Sequence, residues 1–85
     1  MGFARPERFK KDFRRLDVTA RERVLTALEK FAVSERHPSL GVKKMEGTDA
    51  IWELRASDTL RITFQRTGEV VTLRRTGTHN VLGRP

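Results

Sequence analysis

Apolar residues along this chain change their period once, near the middle. Up to residue 33 they recur every three or four positions; from Ile51 they alternate with polar ones. The first spacing predicts helices, the second strands. Phe9, Phe13 and Leu16 fall at i, i+4 and i+7, which predicts a short helix over 7–16 with Lys10, Lys11, Arg14 and Arg15 on its other face. Pro6 stands at the entrance, where a missing N–H loses no hydrogen bond. A second helix is predicted from Thr19. Thr19 and Glu22 have the spacing of a capping box, and Val24, Leu25, Leu28, Phe31 and Ala32 form an apolar face. Only Asp17 and Val18 separate the two helices, so they should fold back as a hairpin. Residues 36–41 read as a loop, and residues 2–5 leave room for a short or weak strand.

The alternating half holds three strand candidates, at 51–55, 60–65 and 70–73. Residues 56–59 can turn between the first two, and Thr67 with Gly68 between the second and third. Three antiparallel strands and a helical hairpin make an α+β domain with its helices on one face. Directing Trp52, Leu54, Leu60, Ile62 and Phe64 toward the helices sends Glu53, Arg55, Arg61, Thr63 and Gln65 to the opposite side. That side is expected to be polar, rich in arginine and open to solvent.

Composition narrows the class. Eighty-five residues suit a single domain, 1–85, and Leu, Ile, Val and Phe make up 22 of them, enough for a packed core. The absence of cysteine excludes disulfides, thiol chemistry and Cys-based zinc sites. No apolar stretch approaches the roughly 20 residues that span a bilayer, and no apolar leader follows Met1, so a cytoplasmic protein is expected. The net charge of +7 is uneven. Residues 1–16 and 55–85 each carry six bases against two acids, and the stretch between them is near neutral. If the two ends meet, they build one positive surface suited to phosphates or an acidic protein.

The candidate chemistry lies on the polar side of the strands. Arg61 and Arg55 can grip phosphate oxygens through two N–H groups at once and stay charged; an exposed strand arginine can equally be merely solvated. Glu53 is the one acid on that side, either a general base or an ion partner for Arg55 or Arg61. His79 follows a Thr-Gly-Thr turn, and histidine as a type exchanges protons near neutral pH. Lys43 and Lys44 precede the strands and can meet phosphates or simply be solvated. Asn80 can cap a turn or touch a ligand. Trp52 reads as core rather than as a stacking platform, and His37 as structural. Two histidines without cysteine make no convincing metal site, and no cofactor motif is present.

In this order and spacing the residues resemble the RelE/ParE superfamily of toxins from bacterial type II toxin–antitoxin systems. The resemblance rests on Phe9, Lys10, Lys11, Asp12, Phe13 and Leu16, then His37, Pro38, Ser39 and Leu40, then Val42, Lys43, Lys44, Met45, Glu46 and Gly47. It continues through Ile51, Trp52, Glu53, Leu54 and Arg55, then Leu60, Arg61, Ile62, Thr63 and Phe64, and ends with Thr76, Gly77, Thr78, His79, Asn80, Val81 and Leu82. It implies a helical hairpin on a curved antiparallel sheet with an added N-terminal strand. It also implies a metal-free, cofactor-free endoribonuclease acting on mRNA, generally on the ribosome, and held in check by an antitoxin. Carried over, Arg61 contacts the scissile phosphate, with Glu53 and Arg55 on the preceding strand and His79 near the end of the chain. Lys43, Lys44, Asn80 and Arg74 would hold RNA. Many active members carry an aromatic near the C-terminus, whereas here none follows Phe64. Relatives of the ParE type act instead on DNA gyrase, so a non-nuclease toxin, or an inactive antitoxin- or nucleic-acid-binding module, is the alternative.

Overall fold

A computed structural model describes residues 2–85. Strand β1 is Gly2–Ala4, helix α1 Glu7–Arg15 and helix α2 Val18–Val33. A 3-10 turn, Pro38–Leu40, leads into β2 (Lys43–Lys44), β3 (Trp52–Arg55), β4 (Arg61–Thr67) and β5 (Val70–Gly77). A second 3-10 turn, His79–Gly83, ends the fold. No helix among these residues is long and apolar enough to cross a membrane.

The expected α+β architecture is present, with two corrections. The sheet has five strands in the order β1-β5-β4-β3-β2 and is mixed, because β1 runs parallel to β5. Helix α2 starts two residues earlier than its capping-box spacing suggests. Asp17, not Thr19, is the N-cap, and its Oδ1 accepts the Ala20 N–H at 2.7 Å. Either side chain can serve an orphan helix N–H; the carboxylate also meets the positive end of the helix dipole.

The core lies between the helices and one face of the sheet. Phe9, Val24, Ala27, Leu28 and Phe31 from the helices meet Leu54, Ile62, Phe64, Val71 and Leu73 from the strands. Phe31 and Phe64 make an edge-to-face pair with centroids 5.1 Å apart, a favourable arrangement of two ring quadrupoles. Trp52 packs partly buried against this core. Both edge strands are very short, which limits the unpaired backbone offered to other chains. Where β1 stops, α1 takes over along β5. There the buried Asp12 accepts the Thr76 N–H at 3.2 Å.

The outward side of the sheet is less open than alternation implies. Glu53 is only 8% exposed and Thr63 is fully buried. The C-terminal 3-10 turn packs over β4 and β5 and buries Val81 against them. Gly77 makes room for it: a Cβ there would stand 2.8 Å from Val81 Cγ1. A register shift at Thr63/Phe64 adds to the burial of Thr63, whose Oγ1 accepts the Arg75 N–H at 3.0 Å.

Candidate functional site

Strand register decides which polar residues meet. Lys43 lies opposite Glu53, Glu53 opposite Thr63, and Thr63 opposite Arg75. In the next row Arg55 lies opposite Arg61, and Arg61 opposite Gly77. Directly opposed residues share a face, so Lys43, Glu53, Arg55 and Arg61 all project to the side away from the helices. The chain leaves β5 at Gly77 and turns at once through His79 and Leu82. These residues and Gly41 line one cleft of about 360 Å³.

Inside it, the charges are unevenly satisfied. Lys43 Nζ stands 3.9 Å from Glu53 Oε1, so the acid's partner is Lys43 and not the expected Arg55 or Arg61. Arg61 is half-buried and anchored. Its Nη1 donates to the carbonyls of Ser57, Asp58 and Leu60 at 2.9, 3.2 and 3.1 Å. The turn thus fixes one nitrogen, while Nη2 and Nε find no protein acceptor among the described residues. Arg55 is exposed directly across the ladder from it. Two like charges in opposed positions repel, and an anion seated between them removes that repulsion. His79 is exposed at the start of the C-terminal turn. The cleft therefore holds a carboxylate, two guanidinium groups, an ammonium and an imidazole, a set able to bind an anion and exchange protons.

Three sequence candidates stand apart. Lys44 faces the opposite way from Lys43, across from Trp52. Asn80 is exposed beside His79 and does not line the cleft. Arg74 is tied elsewhere: its Nη1 donates to Gln65 Oε1 at 2.8 Å and its Nε to the Pro85 carbonyl at 3.1 Å. Among the described residues, no three His, Cys, Asp or Glu side chains gather as a cation site would require.

Solved structures share this arrangement of elements. The RelB–RelE antitoxin–toxin complex of Methanococcus jannaschii aligns at a TM-score of 0.75 with 20% identity, covering 95% of each chain. A YoeB/ParE toxin from Agrobacterium tumefaciens aligns at 0.75 with 13% identity, over 93% of this chain and 99% of that one. The toxin–antitoxin complex RelBE of Escherichia coli aligns at 0.70 with 25% identity, over 91% and 94%. The chain belongs to the RelE/ParE toxin superfamily. No protein-family model matches it, and neither does any curated protein sequence.

Sequence reasoning missed one feature of this RelE/ParE chain, the buried pair that holds its C-terminal turn in place. Arg75 grips Asp12 with two nitrogens, Nε to Oδ2 at 2.6 Å and Nη2 to Oδ1 at 3.2 Å. The hydrogen bond to Asp12 raises the Arg75 pKa above its ordinary value, against the opposing effect of burial. The same guanidinium donates through Nη1 to the Arg84 carbonyl at 3.2 Å. Together with the Arg74 bond to Pro85, this pins the segment following His79. The one signal in the sequence is that Asp12 is the sole acid among the bases of 8–15.

Proposed function

We propose that this chain is the toxin of a type II toxin–antitoxin pair and that it cleaves RNA by internal attack of a 2′-hydroxyl. The observation carrying the proposal is the convergence of Arg55, Arg61, His79 and Glu53 in one cleft. A phosphodiester placed between Arg55 and Arg61 would have its charge met by donors on two strands. Glu53 would take the proton of the 2′-hydroxyl as that oxygen attacks phosphorus. The bond from phosphorus to the 5′-oxygen breaks, and His79 donates a proton to the leaving oxygen. The products are a 2′,3′-cyclic phosphate and a 5′-hydroxyl. DNA lacks the attacking group and would be spared. Arg61, already fixed by the turn at 57–60, would meet the growing phosphate charge with little reorganisation.

The antitoxin is inferred from the RelB–RelE and RelBE complexes among the structural neighbours. Its expected character is a partly acidic, amphipathic segment matching the +7 charge of this chain. mRNA on the ribosome is the proposed substrate. A second reading, a gyrase-directed toxin, is favoured by one observation: Leu82, not an aromatic ring, closes the cleft beside His79. Induction of the chain followed by mapping of mRNA ends, alongside a gyrase supercoiling assay, separates the two. New mRNA ends that disappear in Arg61→Ala and His79→Ala support the nuclease. Toxicity undiminished in both variants rejects these roles.

A further inference from the structure

A second cavity of about 450 Å³ lies on the other side of the β2 edge, lined in part by Trp52, Arg36, His37 and Arg66. Gly41 borders both this cavity and the cleft. Among the described residues it is the only one lining both, it adopts φ +52°, and nothing lies within 4 Å of where its Cβ would stand. At Gly41 itself, then, no side chain stands between the cleft and the cavity. From this geometry we infer that the second cavity receives a nucleotide flanking the scissile phosphate, with its base against the Trp52 indole. The inference deepens the RNA reading given above and rests on it.

The wall has the chemistry for this role. Proteins that hold single-stranded nucleic acid combine an aromatic stacking surface with a positive groove along the backbone. Trp52 is partly buried and is the only tryptophan of the chain. Arg36 is exposed on the loop before the 3-10 turn. Arg66 is held over the Phe31 ring, 5.7 Å from its centroid, and paired with Glu35, which neutralises the cavity's one acid. His37 Nδ1 accepts the Ser39 N–H at 3.2 Å, leaving Nε2 as the ring's proton-bearing donor when neutral. Continuity with the phosphodiester cleft favours a nucleotide over an acidic peptide as occupant.

The sole indole is also the probe. The full chain is titrated with a 2′-O-methyl oligoribonucleotide of about six nucleotides, which can bind but has no free hydroxyl to attack. Indole emission and the anisotropy of end-labelled RNA are followed together. The expected result is emission quenched in step with binding. Trp52→Ala should weaken binding roughly 5- to 100-fold. Because Trp52 touches the core, Arg36→Ala on the exposed loop serves as the second variant. It should weaken binding and reduce the salt slope by about one. RNA bound with unchanged emission and no effect of Arg36→Ala overturns the subsite and leaves the nuclease reading standing. Failure to bind RNA at all overturns both. A shift given by an acidic peptide but not by RNA assigns the cavity to a protein segment and overturns the subsite.

Discussion

The outward side of the sheet carries two arginine clusters that sequence alone treats alike. In one, Arg74 and Arg75 sit on β5 with acceptors close by: Gln65, Asp12 and the carbonyls of Arg84 and Pro85. In the other, Arg55 and Arg61 oppose each other across the β3–β4 ladder with no carboxylate bridging them. The first cluster is internally satisfied and holds the chain end in place. The second leaves cationic donors facing a cleft. The same residue type thus either holds the architecture or keeps donors facing a cleft, according to where its acceptors are, and the count of bases in the last third of the chain cannot tell the two apart.

The largest expected effect tests this division directly. Arg61→Ala should lower RNA cleavage by about 10²–10³-fold, the usual loss for a preorganised donor facing developing charge. Arg74→Ala should leave cleavage within about twofold of the parent, the usual range for a side chain away from the chemistry. Rates are compared on one RNA at saturating enzyme. Equal losses in both variants would erase the distinction between the clusters.

Next in size is the buried pair. Asp12→Ala leaves the Arg75 guanidinium and the Thr76 N–H without their acceptor. Breaking such a pair from one side should cost about 3 kcal/mol of stability, read from urea unfolding. Replacing both partners, as in Asp12→Leu with Arg75→Met, should recover part of that loss, because no charge is then stranded. A single replacement without effect would show that the C-terminal turn is held by something else.

Gly77→Ala probes the join between the clusters. The added methyl would meet Val81 Cγ1 at 2.8 Å, so the turn carrying His79 must shift. Overpacking of this kind should cost about 1–3 kcal/mol. Cleavage should fall with it, through the rate at saturating RNA more than through RNA affinity. Unchanged cleavage would mean that the position of His79 is not held by this contact.

What the sequence discloses follows from how far each interaction reaches. Helices α1 and α2 and strands β3 and β4 are legible because their signal is local: Phe9 with Phe13, Val24 with Leu28, Trp52 with Leu54. The far half of β5 is not, since Arg74, Arg75 and Thr76 break the alternation at the register shift, and Arg75 and Thr76 lean on Asp12, more than 60 positions away. Strands β1 and β2 are too short for a period and exist through pairing with β5 and β3. For the site, alternation brings Glu53, Arg55 and Arg61 to one side. It cannot separate Lys43 from Lys44, whose opposite directions depend on register, nor reveal that Arg74 is occupied. The burial of Thr63 is hidden for a similar reason, because it comes from the register shift and from a turn over β4 and β5 whose docking depends on Gly77 lacking a side chain.

The smallest effect belongs to an ion pair that resembles Asp12–Arg75 only on paper. Glu7 and Arg14 stand 2.9 Å apart on α1, with side chains 71% and 58% exposed. The hydrogen bond from Arg14 and its charge lower the Glu7 pKa. A carboxyl lowered by folding adds stability above its unfolded pKa and loses it as the pH falls through the folded one. Water and salt screen a pair this exposed, so Glu7→Gln should leave the urea midpoint at neutral pH unchanged within error. Arg75 runs the other way: its pKa is raised, so its contribution persists through neutral pH and is lost only in strong base. Chemical-shift titration of Glu7 checks the direction, with a midpoint below the usual glutamate range at low salt that moves back toward it as salt is added. A midpoint indifferent to salt would mean that the surface pair is held as firmly as the buried one, and that burial is not what separates them.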